Sequence, residues 1–129
     1  MSAERLRSPL GRALGLGSAK EGAEHWWLQR VTAVALVPLA LWFVAALVAH
    51  LGVERAAVVI WLRSPLTAVA MILLVVATFT HMALGLQVVI EDYVHHEATK
   101  IASLVLVRLA CWALGAAALF AVLRVAFGS

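Results

Sequence analysis

Long apolar segments alternate with short polar ones along this chain. Three apolar runs cover residues 31–49, 66–90 and 101–127, and few charged positions interrupt them. A bilayer core about 30 Å thick needs about 20 apolar residues in a helix, and each run is close to that length or longer. Because only helices satisfy their own backbone groups in lipid at this segment count, the pattern predicts an all-α membrane protein with three transmembrane helices.

Polar residues mark the ends of the predicted helices. Gly52 follows the first run, and Ser64 and Pro65 precede the second, which is the order expected for a helix stop and then an N-cap with proline in the first turn. Between them, the segment VERAAVVIWL predicts a short interfacial helix. We therefore divide the chain into a tail over residues 1–24 and a three-helix membrane domain over residues 25–129.

Composition supports the membrane assignment and excludes several other classes. Hydrophobic residues make up 64% of the chain and charged residues 13%, whereas soluble proteins have about 45–50% apolar residues. The single cysteine, Cys111, excludes a disulfide framework and a cysteine metal cluster, and its apolar surroundings indicate a small buried hydrophobe. No basic stripe interleaved with aromatic residues is present, so nucleic acid is not an expected partner, whereas membrane lipid is.

Lysine and arginine are distributed unevenly between the two predicted sides of the membrane. The N-terminal side of the first span carries five of them: Arg5, Arg7, Arg12, Lys20 and Arg30. The first loop carries only Arg55 and Arg63. Since cytoplasmic segments are enriched in basic residues, we expect a cytoplasmic N-terminus and, after three spans, a C-terminus on the opposite side.

His81 lies deep inside the second apolar run, about 14 Å from Ile90 along a helix. An ionisable residue inside the membrane is by default a functional candidate. A neutral imidazole can offer one nitrogen to a metal while its other N–H finds an acceptor. Gly85 leaves space on the same face for a flat macrocycle or another helix, and Thr78 offers a hydroxyl nearby. The alternative is a histidine that only hydrogen-bonds a neighbouring helix.

Ionisable groups gather where the second run ends. Asp92 follows His81 by almost three helical turns and so lies on nearly the same face, and Tyr93 follows at the membrane boundary. A phenol at this depth can donate a hydrogen bond to a quinone carbonyl, with the carboxylate orienting it or passing protons. An ordinary interfacial tyrosine is the alternative. Arg30, which opens the first span, can bind a carboxylate or propionate, or it can anchor the helix at the cytoplasmic surface.

Two segments carry a family resemblance. EHWWLQRVTAVALVPLALW and HMALGLQVVIEDYVHHE resemble the small hydrophobic membrane anchor of succinate dehydrogenase, in its alphaproteobacterial or mitochondrial-like form. The resemblance covers about residues 17–126, and its most specific part is the block H-x3-G-x-Q-V-x4-D-Y that starts at His81 and ends at Tyr93. It implies a multi-pass membrane protein that forms part of a heteromeric helical bundle in the bacterial inner membrane, with the C-terminus periplasmic.

The resemblance also implies a function. The chain would anchor succinate:ubiquinone oxidoreductase (complex II), which passes electrons from succinate to ubiquinone in the tricarboxylic acid cycle and respiratory chain. It would not be an enzyme on its own, because succinate oxidation needs flavin and iron–sulfur chemistry that this chain cannot house. The implied partners are a flavoprotein subunit, an iron–sulfur subunit and a second membrane anchor that is cytochrome b556-like.

Individual residues acquire implied roles in the same way. His81 corresponds to an axial ligand of haem b, which the second membrane anchor shares by supplying the other histidine. Tyr93 corresponds to the tyrosine that hydrogen-bonds ubiquinone, and Asp92 supports that site. Arg30 corresponds to an arginine near the haem propionates and the quinone pocket.

Two other interpretations remain open at this point. One is a membrane protein of another complex that binds a pigment or haem through His81. The other is a purely structural three-helix assembly protein in which His81 only packs. The absorption spectrum of the bound pigment distinguishes haem b from bacteriochlorophyll.

Overall fold

Four helices make up the computed structural model, which describes residues 20–128. They are α1 (Lys20–Ala49), α2 (Arg55–Arg63), α3 (Pro65–Tyr93) and α4 (Glu97–Phe127). The three long helices are long and apolar enough to cross a membrane, and no strand occurs in the described range, so the predicted all-helical architecture is confirmed. The predicted tail lies outside the described residues as far as residue 19, and α1 begins at Lys20.

The residues predicted to mark the helix ends occupy the expected positions. Gly52 lies in the turn after α1 with a φ of 76°, a left-handed conformation that a residue without a Cβ adopts at little cost. Ser64 is the N-cap of α3, and Pro65 occupies the first turn, where the missing N–H removes no helical hydrogen bond. The first loop contains the predicted short helix as α2.

Side chains of α2 contact residues at the C-terminal ends of α1 and α4. The ring centroid of Trp61 lies 4.3 Å from that of His50, which follows α1. Arg63 donates from Nε to the carbonyl of Val125 at 3.2 Å and from Nη2 to that of Gly128 at 2.6 Å. A cation at the C-terminal end of α4 satisfies carbonyls that the helix leaves free and complements its dipole.

Helix α3 lies between the other two long helices. Both α1 and α4 pack against it, whereas no Cα atoms of α1 and α4 lie within 8 Å of each other among the described residues. One contact between α3 and α4 involves Gly115, where an added Cβ would lie 3.4 Å from Cγ of Phe79. The buried apolar core is small and consists of Ala68, Ala77 and Cys111. Cys111 is therefore a small buried hydrophobe, as predicted.

Most large apolar side chains face outward. Leu66 and Phe127 are each 81% exposed and Val34 is 72% exposed, and similar residues occur along all three long helices. A water-soluble protein does not expose apolar surface on this scale. The open layer of helices thus requires lipid or other apolar helices around it.

Candidate functional site

Thr32 of α1 holds the imidazole of His81 in the interior of α3. The Oγ1 atom of Thr32 lies 3.0 Å from Nδ1 of His81, and Thr32 is only 6% exposed. The same oxygen lies 2.8 Å from the carbonyl oxygen of Leu28 and 3.0 Å from that of Gln29. Thr78, whose hydroxyl was expected near His81, makes no hydrogen bond with it among the described residues. The sequence signal for Thr32 was its position as a polar break at the start of the first apolar run.

The chain leaves open space at Gly85, one helical turn after His81. A Cβ added at Gly85 would meet nothing within 4 Å, in contrast to Gly115, whose added Cβ would meet Phe79. Within the described part of the chain, Nε2 of His81 has no hydrogen-bond partner. One imidazole nitrogen is therefore engaged and the other is available, beside a glycine that leaves room for a further group.

The contact between Thr32 and His81 also fixes how α1 and α3 are aligned. The two helices run antiparallel, and Arg30 precedes Thr32 by about 3 Å along the axis. Tyr93 lies about 18 Å along α3 from His81 in the same direction. The backbone of Arg30 is consequently near the level of His81 and about 15 Å from that of Tyr93. Its guanidinium Cζ lies 5.2 Å from the ring centroid of Trp26, within cation–π distance.

Asp92 and Tyr93 form the last turn of α3 and point away from the rest of the chain. Tyr93 is 77% exposed and Asp92 is also exposed. Neither side chain makes a hydrogen bond to the other, to Arg30 or to any other described residue. The structure thus brings His81 to Thr32, whereas the exposed side chains of Arg30, Asp92 and Tyr93 make no hydrogen bonds with one another.

A polar link that the sequence did not reveal joins α3 to α4 near the same end. Nη2 of Arg108 donates to Oε1 of Gln87 at 3.1 Å, and Nε2 of Gln87 donates to Oε1 of Glu91 at 3.0 Å. These three residues and His25 line a cavity of about 430 Å³. The Nε2 atom of His25 is buried and has no hydrogen-bond partner in the part of the chain that the structure describes.

The three apolar runs of the sequence contain a single histidine, His81. No group of three or more His, Cys, Asp or Glu side chains in the described range is arranged to hold a metal ion. His50 bonds through Nδ1 to the carbonyl of Ala46 at 2.7 Å just beyond α1, and His96 caps the start of α4. A metal bound at His81 would need its second protein ligand from another chain.

Comparison with known proteins gives a consistent result. A family model described as succinate dehydrogenase/fumarate reductase transmembrane subunit matches residues 4–123. The succinate dehydrogenase hydrophobic membrane anchor subunit of Rickettsia conorii is 32% identical over 82% of this chain and 85% of its own length. Proteins of the same name from Rickettsia bellii (38% identical, 69% of this chain, 71% of theirs) and Paracoccus denitrificans (31%, 97% and 96%) are also similar.

No solved structure shows significant similarity to the chain. The family match nevertheless spans most of its length, and it includes both the helix with Thr32 and the helix with His81. The chain therefore belongs to the succinate dehydrogenase/fumarate reductase transmembrane subunit family.

Proposed function

We propose that the chain is the membrane anchor of a succinate:ubiquinone oxidoreductase, in which it supplies one axial ligand of haem b and part of the ubiquinone site. The observation that carries the proposal is the environment of His81, whose Nδ1 is engaged by Thr32 and which has open space one helical turn away at Gly85. The chain has no part in succinate oxidation itself. Its partners are a second membrane anchor, an iron–sulfur subunit and a flavoprotein.

The residues around His81 fit a haem shared between two chains. Nε2 is the nitrogen that would coordinate the iron, and the space beside Gly85 would accept the edge of the macrocycle. When bound, haem b supplies a one-electron redox centre whose potential depends on its axial ligands and on the polarity of its pocket. The alignment of α1 with α3 puts Arg30 near this level, so we assign Arg30 to the haem propionates rather than to the quinone.

The exposed end of α3 suits a lipid-soluble quinone. Tyr93 presents its hydroxyl at the end of the span, where it can donate a hydrogen bond to a quinone carbonyl. The adjacent Asp92 carboxylate can orient that hydroxyl or accept a proton at the water interface. Because both side chains are exposed in the isolated chain, the rest of the quinone pocket would come from partner subunits.

The orientation of the chain follows from its basic residues. Five of them precede or open the first span and two lie in the first loop, which favours a cytoplasmic N-terminus in the bacterial inner membrane and a periplasmic C-terminus. Tyr93 then lies at the cytoplasmic end of α3. This is the side on which a water-soluble iron–sulfur protein would deliver electrons to ubiquinone.

Replacing His81 tests the proposal. In the purified complex, His81→Ala removes one axial ligand, so the low-spin spectrum of six-coordinate haem should change or the haem should be lost. His50→Ala is the matched control, because His50 lies at a helix end and contacts Trp61, and this variant should keep the wild-type spectrum. An unchanged optical and EPR spectrum in His81→Ala, with exogenous ligands excluded, would eliminate His81 as the ligand.

A further inference from the structure

The hydroxyl of Thr32 has three potential hydrogen-bond partners but only one hydrogen. Its oxygen lies within 3.0 Å of three atoms: two backbone carbonyl oxygens of its own helix and Nδ1 of His81. A hydroxyl has one hydrogen to donate and two lone pairs to accept with. The carbonyl oxygens can only accept, whereas the imidazole nitrogen can either donate or accept, depending on the tautomer.

One arrangement of hydrogens leaves the fewest acceptors facing each other. If Thr32 donated to His81, its oxygen would face both carbonyl oxygens, at 2.8 Å and 3.0 Å, with no hydrogen in between. If its one hydrogen points to the carbonyls instead, as in helical threonine that hydrogen-bonds the preceding turn, its oxygen can accept from His81. This requires the hydrogen of the neutral imidazole to be on Nδ1, and Nε2 then carries the lone pair.

We propose that Thr32 is a positioning residue that holds His81 as the Nδ1–H tautomer with its ring fixed and its Nε2 lone pair available to a metal. This inference rests on the proposed role of His81 as a haem ligand. Thr32 is 6% exposed and belongs to a different helix from His81. Its hydroxyl therefore stays in place, and the relative position of α1 and α3 determines the orientation of the imidazole.

Two measurable consequences follow from such a contact. A hydrogen bond donated by the distal N–H of a metal-bound imidazole raises the basicity of the ligand and fixes the ring orientation. Greater basicity stabilises the oxidised iron, so loss of the hydroxyl should favour the reduced haem. A ring free to rotate should also change the EPR g values of the oxidised low-spin haem, because these depend on the relative orientation of the two axial imidazoles.

The test compares three variants in the intact purified complex. Thr32→Val removes the hydroxyl at nearly constant volume, and Thr32→Ser keeps it. Thr67→Val is the matched control, because Thr67 is also 6% exposed but lies about 21 Å along α3 from His81. The haem midpoint potential and the low-spin EPR spectrum are measured for each variant and for His81→Ala.

We expect Thr32→Val to shift the reduction equilibrium about threefold to tenfold towards reduced haem, an increase of about 30 to 60 mV at 59 mV per tenfold for one electron. Its g values should also change, whereas Thr32→Ser and Thr67→Val stay close to wild type. Loss of haem from an assembled Thr32→Val complex, but not from Thr32→Ser, supports the same role.

Several outcomes overturn the inference. One is a Thr32→Val complex with wild-type potential and g values. Another is an equal change in Thr32→Val and Thr32→Ser, which would reflect packing rather than the hydroxyl. If Thr32→Val and Thr32→Ser both fail to assemble even without haem, the contact serves helix packing instead. A wild-type spectrum in His81→Ala would refute the haem ligand itself, which separates that failure from a failure of the Thr32 inference.

Discussion

Filling the open space at Gly85, one helical turn from His81, should weaken haem binding without disturbing the fold of the chain. A Cβ at Gly85 would meet nothing within 4 Å, so the side chain of Gly85→Leu starts in open space. Replacing a helix-interior glycine favours the helix by about 0.5–1 kcal/mol. If the macrocycle edge occupies this space, the added side chain overpacks it at a cost of about 1–3 kcal/mol. At 1.36 kcal/mol per tenfold, that corresponds to a loss of haem affinity of about fivefold to more than a hundredfold.

Haem content per complex and the rate of haem loss to an external acceptor measure this effect. Two other glycines provide the controls. Gly22→Leu also fills open space in a helix, but near the start of α1, and should leave haem binding unchanged. At Gly115 an added Cβ alone would already contact Phe79 at 3.4 Å, so the further carbons of Gly115→Leu should overpack this contact and reduce the amount of assembled protein regardless of haem.

The result that refutes this reasoning is specific. Wild-type haem content and retention in Gly85→Leu would mean that no macrocycle lies beside this glycine. A loss of assembly equal to that of Gly115→Leu would mean that a neighbouring helix fills the space instead.

Further predictions concern the quinone site and the topology. Tyr93→Phe removes one hydrogen-bond donor worth about 1 kcal/mol net from an exposed ring, so ubiquinone reduction should fall about fivefold. Haem content and succinate–dye activity should stay normal. An equal loss of ubiquinone and dye activities would contradict the quinone role. Asp92→Asn should weaken the same step, with a stronger pH dependence if this carboxylate passes protons, and an unaltered ubiquinone rate would count against it. A reporter fused after Ser129 should be active only if it functions outside the cytoplasm, and activity of a strictly cytoplasmic reporter would reverse the orientation.

The sequence was sufficient to predict the three membrane helices and most of their limits. Hydropathy over a span of about 20 residues reflects the thickness of the bilayer, and the roles of Gly52 and Pro65 follow from local backbone chemistry. The interior position of His81 could be predicted for the same reason, since it depends only on the distance from the ends of one apolar run.

Relations between helices could not be predicted in this way. Periodicity shows which residues share a face of one helix, but not which residue of a neighbouring helix lies opposite. Thr78 was therefore expected to supply the hydroxyl near His81, and the contact comes from Thr32 on α1. The same alignment of helices determines the hydrogen bond from Arg108 to Gln87 and the distance between Arg30 and Tyr93.

Purification of the tagged chain from its native membrane in mild detergent tests the central claim most directly. The polypeptides are identified by mass spectrometry, and a reduced-minus-oxidised spectrum is recorded on the same sample. We predict a complex with a flavoprotein, an iron–sulfur protein and a second small membrane anchor, together with the spectrum of haem b. A monodisperse single chain that binds haem unaided, or a complex without the flavoprotein and iron–sulfur protein, would contradict the proposed function.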